Sequence, residues 1–184
     1  DAVYETLRTY GGRPFHLDRH LRRLRQSADR LRIALPIADQ EMTERMDALL
    51  ERSSHPESCI RVIVTRGVGD ISYNFDRVQG PTVVMVTKPF QPLPEAHYRD
   101  GVAVILSSVR RNHPRALDPG IKSCNLLNNV LAVQEAQDKG GSEAILTRDG
   151  RVTEGSSSTV FIVRDGKLVT PPNDHSVLPG TSRD

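Results

Sequence analysis

Two stretches decide the fold of this chain: Gly120-Ile121-Lys122-Ser123-Cys124-Asn125-Leu126-Leu127 and Val152-Thr153-Glu154-Gly155-Ser156-Ser157-Ser158. Lys122 stands just before an apolar, amphipathic helical segment, and Glu154 stands at the end of a predicted hairpin strand. An amine and a carboxylate are the two groups that a pyridoxal phosphate site could use. The amine would form the Schiff base, and the anion would pair with the ring nitrogen. Either residue alone would indicate little.

The composition excludes several classes of function. The 184 residues could bury a sizeable core in one domain or two small ones. The 25 Lys and Arg residues nearly balance the 23 Asp and Glu residues, so no nucleic acid partner is expected from the net charge of +2. No apolar run approaches the ~20 residues of a membrane helix, and no signal peptide is evident, so we expect a cytoplasmic protein without a membrane partner. Cys59 and Cys124 lack metal-ligand spacing, which predicts free thiols and no metal site.

Alternating strands and helices are predicted for the first half of the chain. Asp18 is the expected cap of a first helix, whose apolar stripe ends before Pro36, and a second helix is expected at 39–52. The strands are expected at 2–10, 13–17, 59–65 and 82–87. The last two of these are near-continuous apolar runs, which predicts that both are interior strands of one sheet.

A proline-bearing stretch at 93–100 separates the halves and is the predicted linker between domains at 1–92 and 101–184. The second half is expected to begin with a buried strand at 102–109 and to continue with a helix at 126–139. Short hairpin strands are then expected at 144–147, 152–153, 159–163 and 168–170. The predicted fold class is therefore mixed α/β.

The order of the motifs resembles one known family. Tyr4-Glu5-Thr6-Leu7-Arg8 and His20-Leu21-Arg22-Arg23-Leu24 precede the lysine, and Leu178-Pro179-Gly180-Thr181-Ser182-Arg183-Asp184 follows the glutamate. In this order the motifs are similar to those of class IV aminotransferases, the fold type IV pyridoxal phosphate enzymes. That group includes branched-chain aminotransferases, D-amino acid aminotransferases and aminodeoxychorismate lyases. The resemblance spans practically all of the chain.

A site for pyridoxal 5'-phosphate is what the resemblance implies. Lys122 matches the lysine that carries the cofactor as a Schiff base and shuttles the α-proton. Glu154 matches the carboxylate that keeps the ring nitrogen protonated, and Arg23 matches the arginine that binds the phosphate. Two backbone N–H groups that bind the phosphate and one apolar side chain on the ring are matched by Thr181, Ser182 and Leu178. Without the resemblance, these would be a solvated lysine, a surface glutamate and one of several helix arginines.

Two further residues are matched to the substrate side. Tyr4 matches a tyrosine that lines the substrate pocket, although a strand tyrosine is more often simply packed. Arg61 matches a basic position, and an arginine inside a buried strand needs an anionic partner, either a substrate carboxylate or an internal Asp or Glu. After Thr65-Arg66-Gly67, the chain has Ile71 and Tyr73 where bacillar D-amino acid enzymes carry an arginine and a histidine. This departure favours a branched-chain L-amino acid over a D-amino acid.

The resemblance therefore implies an aminotransferase that moves an amino group from an amino acid to a 2-oxo acid. It also implies a small N-terminal α/β domain, part of a larger cofactor domain that is incomplete at its C-terminus, and a homodimer. Activity of these 184 residues alone is not assumed. Aminodeoxychorismate lyase, which eliminates pyruvate with the same cofactor and lysine, is the nearest alternative. A nucleic-acid-binding helix over Arg19–Arg32 is a remote one, because its leucines make an ordinary amphipathic helix.

Overall fold

The computed structural model describes residues 1–174 and 177–183, and it divides into two compact units. Unit 1 contains Asp1–Pro92 and Lys122–Cys124, and unit 2 contains Leu93–Ile121 and Asn125–Asp184. Each unit combines helices with strands, which confirms the predicted mixed α/β class. Within the described ranges, none of the helices is both long enough and apolar enough to cross a bilayer.

Unit 1 is an antiparallel sheet with two helices. Its strands are β1 (Ala2–Tyr10), β2 (Arg13–Pro14), β3 (Ser58–Thr65) and β4 (Thr82–Pro89), in the order β2-β1-β3-β4. The helices are α1 (Leu17–Arg30) and α2 (Asp39–Arg52), and a short 3₁₀ helix lies at Phe75–Arg77. Because side chains alternate across a strand, β1 and β3 each bury every second residue. Together with both helices, they build the core from Val3, Leu7, Leu24, Met42, Met46, Ile60 and Val64.

The opposite face of β1 and β3 carries polar and aromatic side chains. Thr6 and Arg61 are direct cross-strand partners on this face, and Tyr4 precedes Thr6 by one alternation. Glu5 points the other way, toward the helices, because it occupies one of the buried positions of β1. Adjacent residues of β1 therefore serve two different environments.

Unit 2 is built around a three-stranded sheet of order β5-β6-β7. Strand β5 (Val104–Arg110) is parallel to β6 (Glu143–Arg148), which is antiparallel to β7 (Arg151–Gly155). The remaining elements are α3 (Glu95–Asp100), α4 (Leu127–Asp138), β8 (Ile162–Arg164) and β9 (Lys167–Val169). The α4 helix packs on the sheet through small residues, and the core consists of Ala132, Ala136, Ala144 and Leu146 with Ile105 and Val109 against it.

The structure corrects the predicted surroundings of two strands and the predicted cap of one helix. β4 and β5 are edge strands in the described sheets, and residues on their uncovered faces are exposed, Val86 by 50% and Leu106 by 65%. A high apolar content indicates that a strand can be buried, but it does not indicate whether the strand pairs with other strands on both sides. Asp18 is not the cap of α1, because the helix begins at Leu17, after His16 in a left-handed conformation. Asp18 instead lies in the first turn, where its charge favours the helix dipole.

Candidate functional site

Lys122 is fixed through its backbone in unit 1. The Lys122–Cys124 segment pairs with the open side of β1: the Tyr4 N–H donates to the Lys122 carbonyl at 3.0 Å, and the Cys124 N–H donates to the Ala2 carbonyl at 2.9 Å. The Lys122 N–H donates to Ser27 Oγ on α1 at 3.1 Å. These bonds hold the lysine backbone from two sides, so the side chain leaves from a rigid base.

Two cationic side chains contact the ring of Tyr4. Lys122 Nζ is 4.7 Å from the ring centroid, and the guanidinium carbon of Arg61 is 4.9 Å from it. Such distances are typical of cation–π contacts. Arg61 Nε also donates to Thr6 Oγ1 at 3.2 Å. Burial raises the pKa of Tyr4, with the Arg61 charge opposing the shift, so the phenol stays neutral at ordinary pH. Three of the predicted residues are therefore brought together on one face of the sheet.

The premise that Arg61 is buried is wrong. Its side chain is on the exposed side of β3, because the inward positions of that strand alternate with it. Across residues 1–174 and 177–183, no carboxylate forms an ion pair with Arg61, so an internal Asp or Glu partner is not found there. The guanidinium instead rests on an aromatic face beside a hydroxyl group.

Arg23 lies on the other side of β1, in a buried cluster of charges. Its Nε donates to Glu5 Oε1 at 2.6 Å, and its Nη2 donates to Glu5 Oε2 at 2.8 Å. His20 Nδ1 is 2.7 Å from the same Oε2 atom. Burial would raise the pKa of Glu5, but hydrogen bonds from Arg23 and His20, with the charges of Arg23 and Lys122, lower it overall. The predicted phosphate arginine is therefore held by an ionised carboxylate.

In unit 2, Glu154 is a buried carboxylate at the end of β7 with 7% of its surface exposed. Arg111 Nε donates to Glu154 Oε1 at 2.6 Å, and both side chains of this ion pair are 9% exposed. The Leu178 N–H donates to Glu154 Oε2 at 3.0 Å. Arg111 Nη1 also donates to Asn128 Oδ1 at 3.2 Å, and Asn129 Oδ1 lies 3.4 Å from it. Two predicted residues, Glu154 and Leu178, are thus in direct contact.

A second carboxylate fixes the loop that follows Glu154. Glu143 accepts hydrogen bonds from the hydroxyl groups of Ser156, Ser157 and Ser158, and from the Ser156 N–H at 3.1 Å. Burial would raise the pKa of Glu143, but these bonds lower it. The run of serines therefore has a structural partner, and it holds the end of β7 in place.

The predicted phosphate-binding residues near the C-terminus form a turn. The Arg183 N–H donates to the Gly180 carbonyl at 3.1 Å, which encloses Thr181 and Ser182. A Cβ atom at Gly180 would lie 2.8 Å from Thr159 Oγ1, so a larger residue would require the Thr159 side chain or the turn to shift. The phosphate role of Thr181 and Ser182 stays a prediction. Asp184, the last residue of the motif, lies outside the described residues.

Sequence reasoning did not select four residues of these clusters: Glu5, His20, Arg111 and Glu143. One signal for the first two was available. Glu5 occupies an inward position of an alternating strand, and a charge at such a position requires a buried partner. His20 and Arg23 are three apart on the inward face of a helix, where both can reach one carboxylate. No comparable pattern singles out Arg111 or Glu143.

Comparison with known proteins identifies relatives along the whole chain. The profile of the amino-transferase class IV family matches residues 2–184. A Methanocaldococcus jannaschii protein named "Putative branched-chain-amino-acid aminotransferase" is 40% identical over 185 residues, which cover 100% of this chain and 63% of that protein. The D-alanine aminotransferase of Bacillus licheniformis is 36% identical over 183 residues, with 100% of this chain and 63% of that enzyme covered.

The fold is also found in solved structures. The branched-chain amino acid aminotransferase of Thermobaculum terrenum, solved in its PLP-form, is similar with a TM-score of 0.85 and 28% identity. That similarity covers 99% of this chain and 61% of the other chain. The chain therefore spans 63% of the length of both relatives named above. Pyridoxal 5'-phosphate is the cofactor that class IV aminotransferases use.

Proposed function

We propose an amino acid aminotransferase, on the premise that the chain belongs to the class IV aminotransferase family. The protein would move the amino group of an amino acid to a 2-oxo acid, with the cofactor held as a Schiff base on Lys122. The observation that carries this proposal is the environment of Lys122. Its backbone is fixed between β1 and α1, and its amine contacts the same Tyr4 ring as the guanidinium of Arg61.

The donor set of each unit suits pyridoxal phosphate. Unit 1 offers an amine and a guanidinium, in Lys122 and Arg23, and unit 2 offers the buried carboxylate of Glu154. When bound, the cofactor would supply an electron-withdrawing ring that stabilises the charge left at the α-carbon. The Glu154 carboxylate would hold the ring nitrogen protonated. Leu178 would pack on the ring, and backbone N–H groups of the 180–183 turn would add donors to the phosphate.

Proton transfer is the second task proposed for Lys122. A lysine with an ordinary pKa near ~10.4 is mostly protonated at neutral pH and cannot accept a proton. Nearby positive charge or desolvation is what makes the neutral form of a lysine amine accessible. The neutral amine could then take the α-proton and return it at the next carbon.

We assign the substrate carboxylate to Arg61 and favour branched-chain L-amino acids as donors. The exposed guanidinium of Arg61 has a hydroxyl and an aromatic ring as neighbours, which leaves donor groups for an anion. The relative of highest identity named above carries a branched-chain name, and a D-alanine enzyme follows at 36%.

A homodimer is proposed from the family resemblance, and light scattering of the full-length protein would test it.

The cofactor assignment is tested by borohydride reduction of the full-length protein after addition of pyridoxal phosphate. We expect loss of the visible absorbance band and a covalent adduct on the peptide that contains Lys122. The Lys122→Ala variant should show no adduct and no transamination, whereas Lys167→Ala, which changes an exposed lysine of β9, should behave as the unmodified protein. An adduct that persists in the Lys122→Ala protein would reject the role of this residue.

A donor screen separates the substrate alternatives. Branched-chain L-amino acids, D-alanine and aminodeoxychorismate would each be incubated with the enzyme, with 2-oxoglutarate as the amino acceptor for the first two. Release of pyruvate from aminodeoxychorismate without an amino acceptor would identify the lyase reaction instead. The Arg61→Gln variant should raise KM for the substrate whose carboxylate it binds by about 10- to 100-fold, as expected for loss of a charged hydrogen bond. An unchanged KM for every substrate would remove Arg61 from the site.

A further inference from the structure

Glu5 links the proposed phosphate arginine to the sheet through an unusually complete set of contacts. The carboxylate is 1% exposed, while Arg23 and His20 are 8% and 6% exposed. Three donor atoms lie within 2.8 Å of its two oxygens: Arg23 Nε, Arg23 Nη2 and His20 Nδ1. A carboxylate held by three such contacts cannot turn without breaking several of them.

Arg23 is held along one edge of its guanidinium. Both of its bonds to Glu5 use the edge that contains Nε and Nη2, in the two-pronged geometry that fixes a guanidinium plane. The other edge, which contains Nη1, is directed away from the carboxylate. Because the pKa of Glu5 is lowered, the carboxylate is charged throughout the neutral range and keeps its bonds to the guanidinium there.

We propose that Glu5 is a positioning residue that aims Arg23 at the cofactor phosphate and so sets the preference for the phosphorylated form of the cofactor. This inference rests on the proposed function. Two effects of Glu5 on phosphate binding oppose one another. Its negative charge repels a phosphate, whereas its two hydrogen bonds orient the arginine. The orienting effect is the larger one, since an amide at position 5 would present an N–H group toward one of the N–H donors of Arg23. The guanidinium would then have to move.

Binding of two probes to the full-length protein tests this role. Pyridoxal phosphate and pyridoxal differ only in the phosphate group, and their dissociation constants can be measured from the visible absorbance. We expect Glu5→Gln to weaken binding of pyridoxal phosphate by about 10-fold or more, with binding of pyridoxal changed less than about twofold. Glu5→Asp keeps the charge but shortens the side chain. Its affinity for pyridoxal phosphate should lie between those of the unmodified protein and Glu5→Gln. Arg23→Gln gives the full loss of preference against which both are compared.

Glu57→Gln is the matched control, because it makes the same chemical change in unit 1 at a carboxylate that bonds Thr9 and the Gly11 N–H instead of an arginine. It should leave the preference between the probes unchanged. Equal weakening of both probes by Glu5→Gln would show a general structural role and overturn the proposal. Tighter binding of pyridoxal phosphate would overturn it too, because repulsion would then exceed orientation. If Glu5→Gln does not fold, a preference in Glu5→Asp equal to that of the unmodified protein would overturn it.

Failure of the proposed function gives a different result. In that case the unmodified protein would bind neither probe, and no comparison between variants would rescue the assignment. If the unmodified protein binds both probes and Arg23→Gln abolishes the preference while Glu5→Gln keeps it, only the role of Glu5 is overturned.

Discussion

Replacing Arg111 with Met should destabilise unit 2 more than the same replacement of an arginine that is exposed to solvent. Arg111 and Glu154 are each 9% exposed, and their closest atoms are 2.6 Å apart. The methionine would fill part of the space but would leave the Glu154 carboxylate buried without the guanidinium charge, while the Leu178 N–H still donates to it at 3.0 Å. Removing one partner of a buried pair costs about 3–5 kcal/mol, because the remaining charge has lost its compensation.

Urea unfolding of the full-length protein, followed by far-UV circular dichroism, measures this cost. With a slope near ~2 kcal/mol per molar, a loss of about 4 kcal/mol shifts the midpoint by roughly 2 M. Arg111→Lys keeps the charge but loses the fork of donors, so a smaller shift is expected. The Glu154→Gln variant in the same assay provides the other single change of a double-mutant cycle.

The cycle distinguishes a coupled pair from two separate contributions. When Arg111→Met and Glu154→Gln are combined, the uncompensated charge is gone, so the double variant should be more stable than the sum of the single losses predicts, by up to about 3 kcal/mol. Additive losses would refute the reasoning. A cost below about 1 kcal/mol for Arg111→Met would also refute it, since that is the range of solvent-exposed pairs.

Two other predictions concern unit 2. The pKa of Glu135 is lowered to about 2, first by Lys139 and then by Ser107, so its contribution to stability is present above the usual pKa of ~4.3 and is lost as the pH falls through about 2. Glu135→Gln should flatten the pH dependence of the melting temperature in that window, and an unchanged pH profile would contradict this. Gly155→Ala would place a Cβ 2.2 Å from Ser158 Oγ and should cost about 1–3 kcal/mol in thermal unfolding. Adding Ser158→Ala should recover part of the loss, and no recovery would exclude this contact as the cause.

Elements with a clear period were predictable from the sequence. The second helix was expected at 39–52 and is found at Asp39–Arg52, and the expected strand at 2–10 is found at Ala2–Tyr10. In both, side chains repeat at the spacing of the element, so local information suffices. Whether β4 or β5 has one neighbour or two depends on how distant segments pair, and neither strand contains that information in its own residues.

The surroundings of Lys122 also could not be predicted from the residues next to it in the sequence. The segment around it has no strand pattern, yet three residues pair with β1, and the lysine N–H bonds Ser27, which is 95 positions away. Only the family resemblance selected this lysine, because its surroundings come from parts of the chain that are remote in sequence. The contact to Tyr4 follows from that pairing, since the pairing brings both side chains to the same end of β1.

Charged residues at inward positions carry information that hydrophobic periodicity alone does not use. Glu5 interrupts a row of buried positions that otherwise holds Val3, Leu7 and Thr9. Burying a lone carboxylate is so unfavourable that a strand with this pattern forms only if cations face it. The inward face of the next helix supplies one such cation, Arg23, and a hydrogen-bonding imidazole, His20, three residues before it. The strand pattern and the helix pattern therefore predict each other, and a search for such matched pairs would have selected Arg23 among the arginines of α1 without any relative.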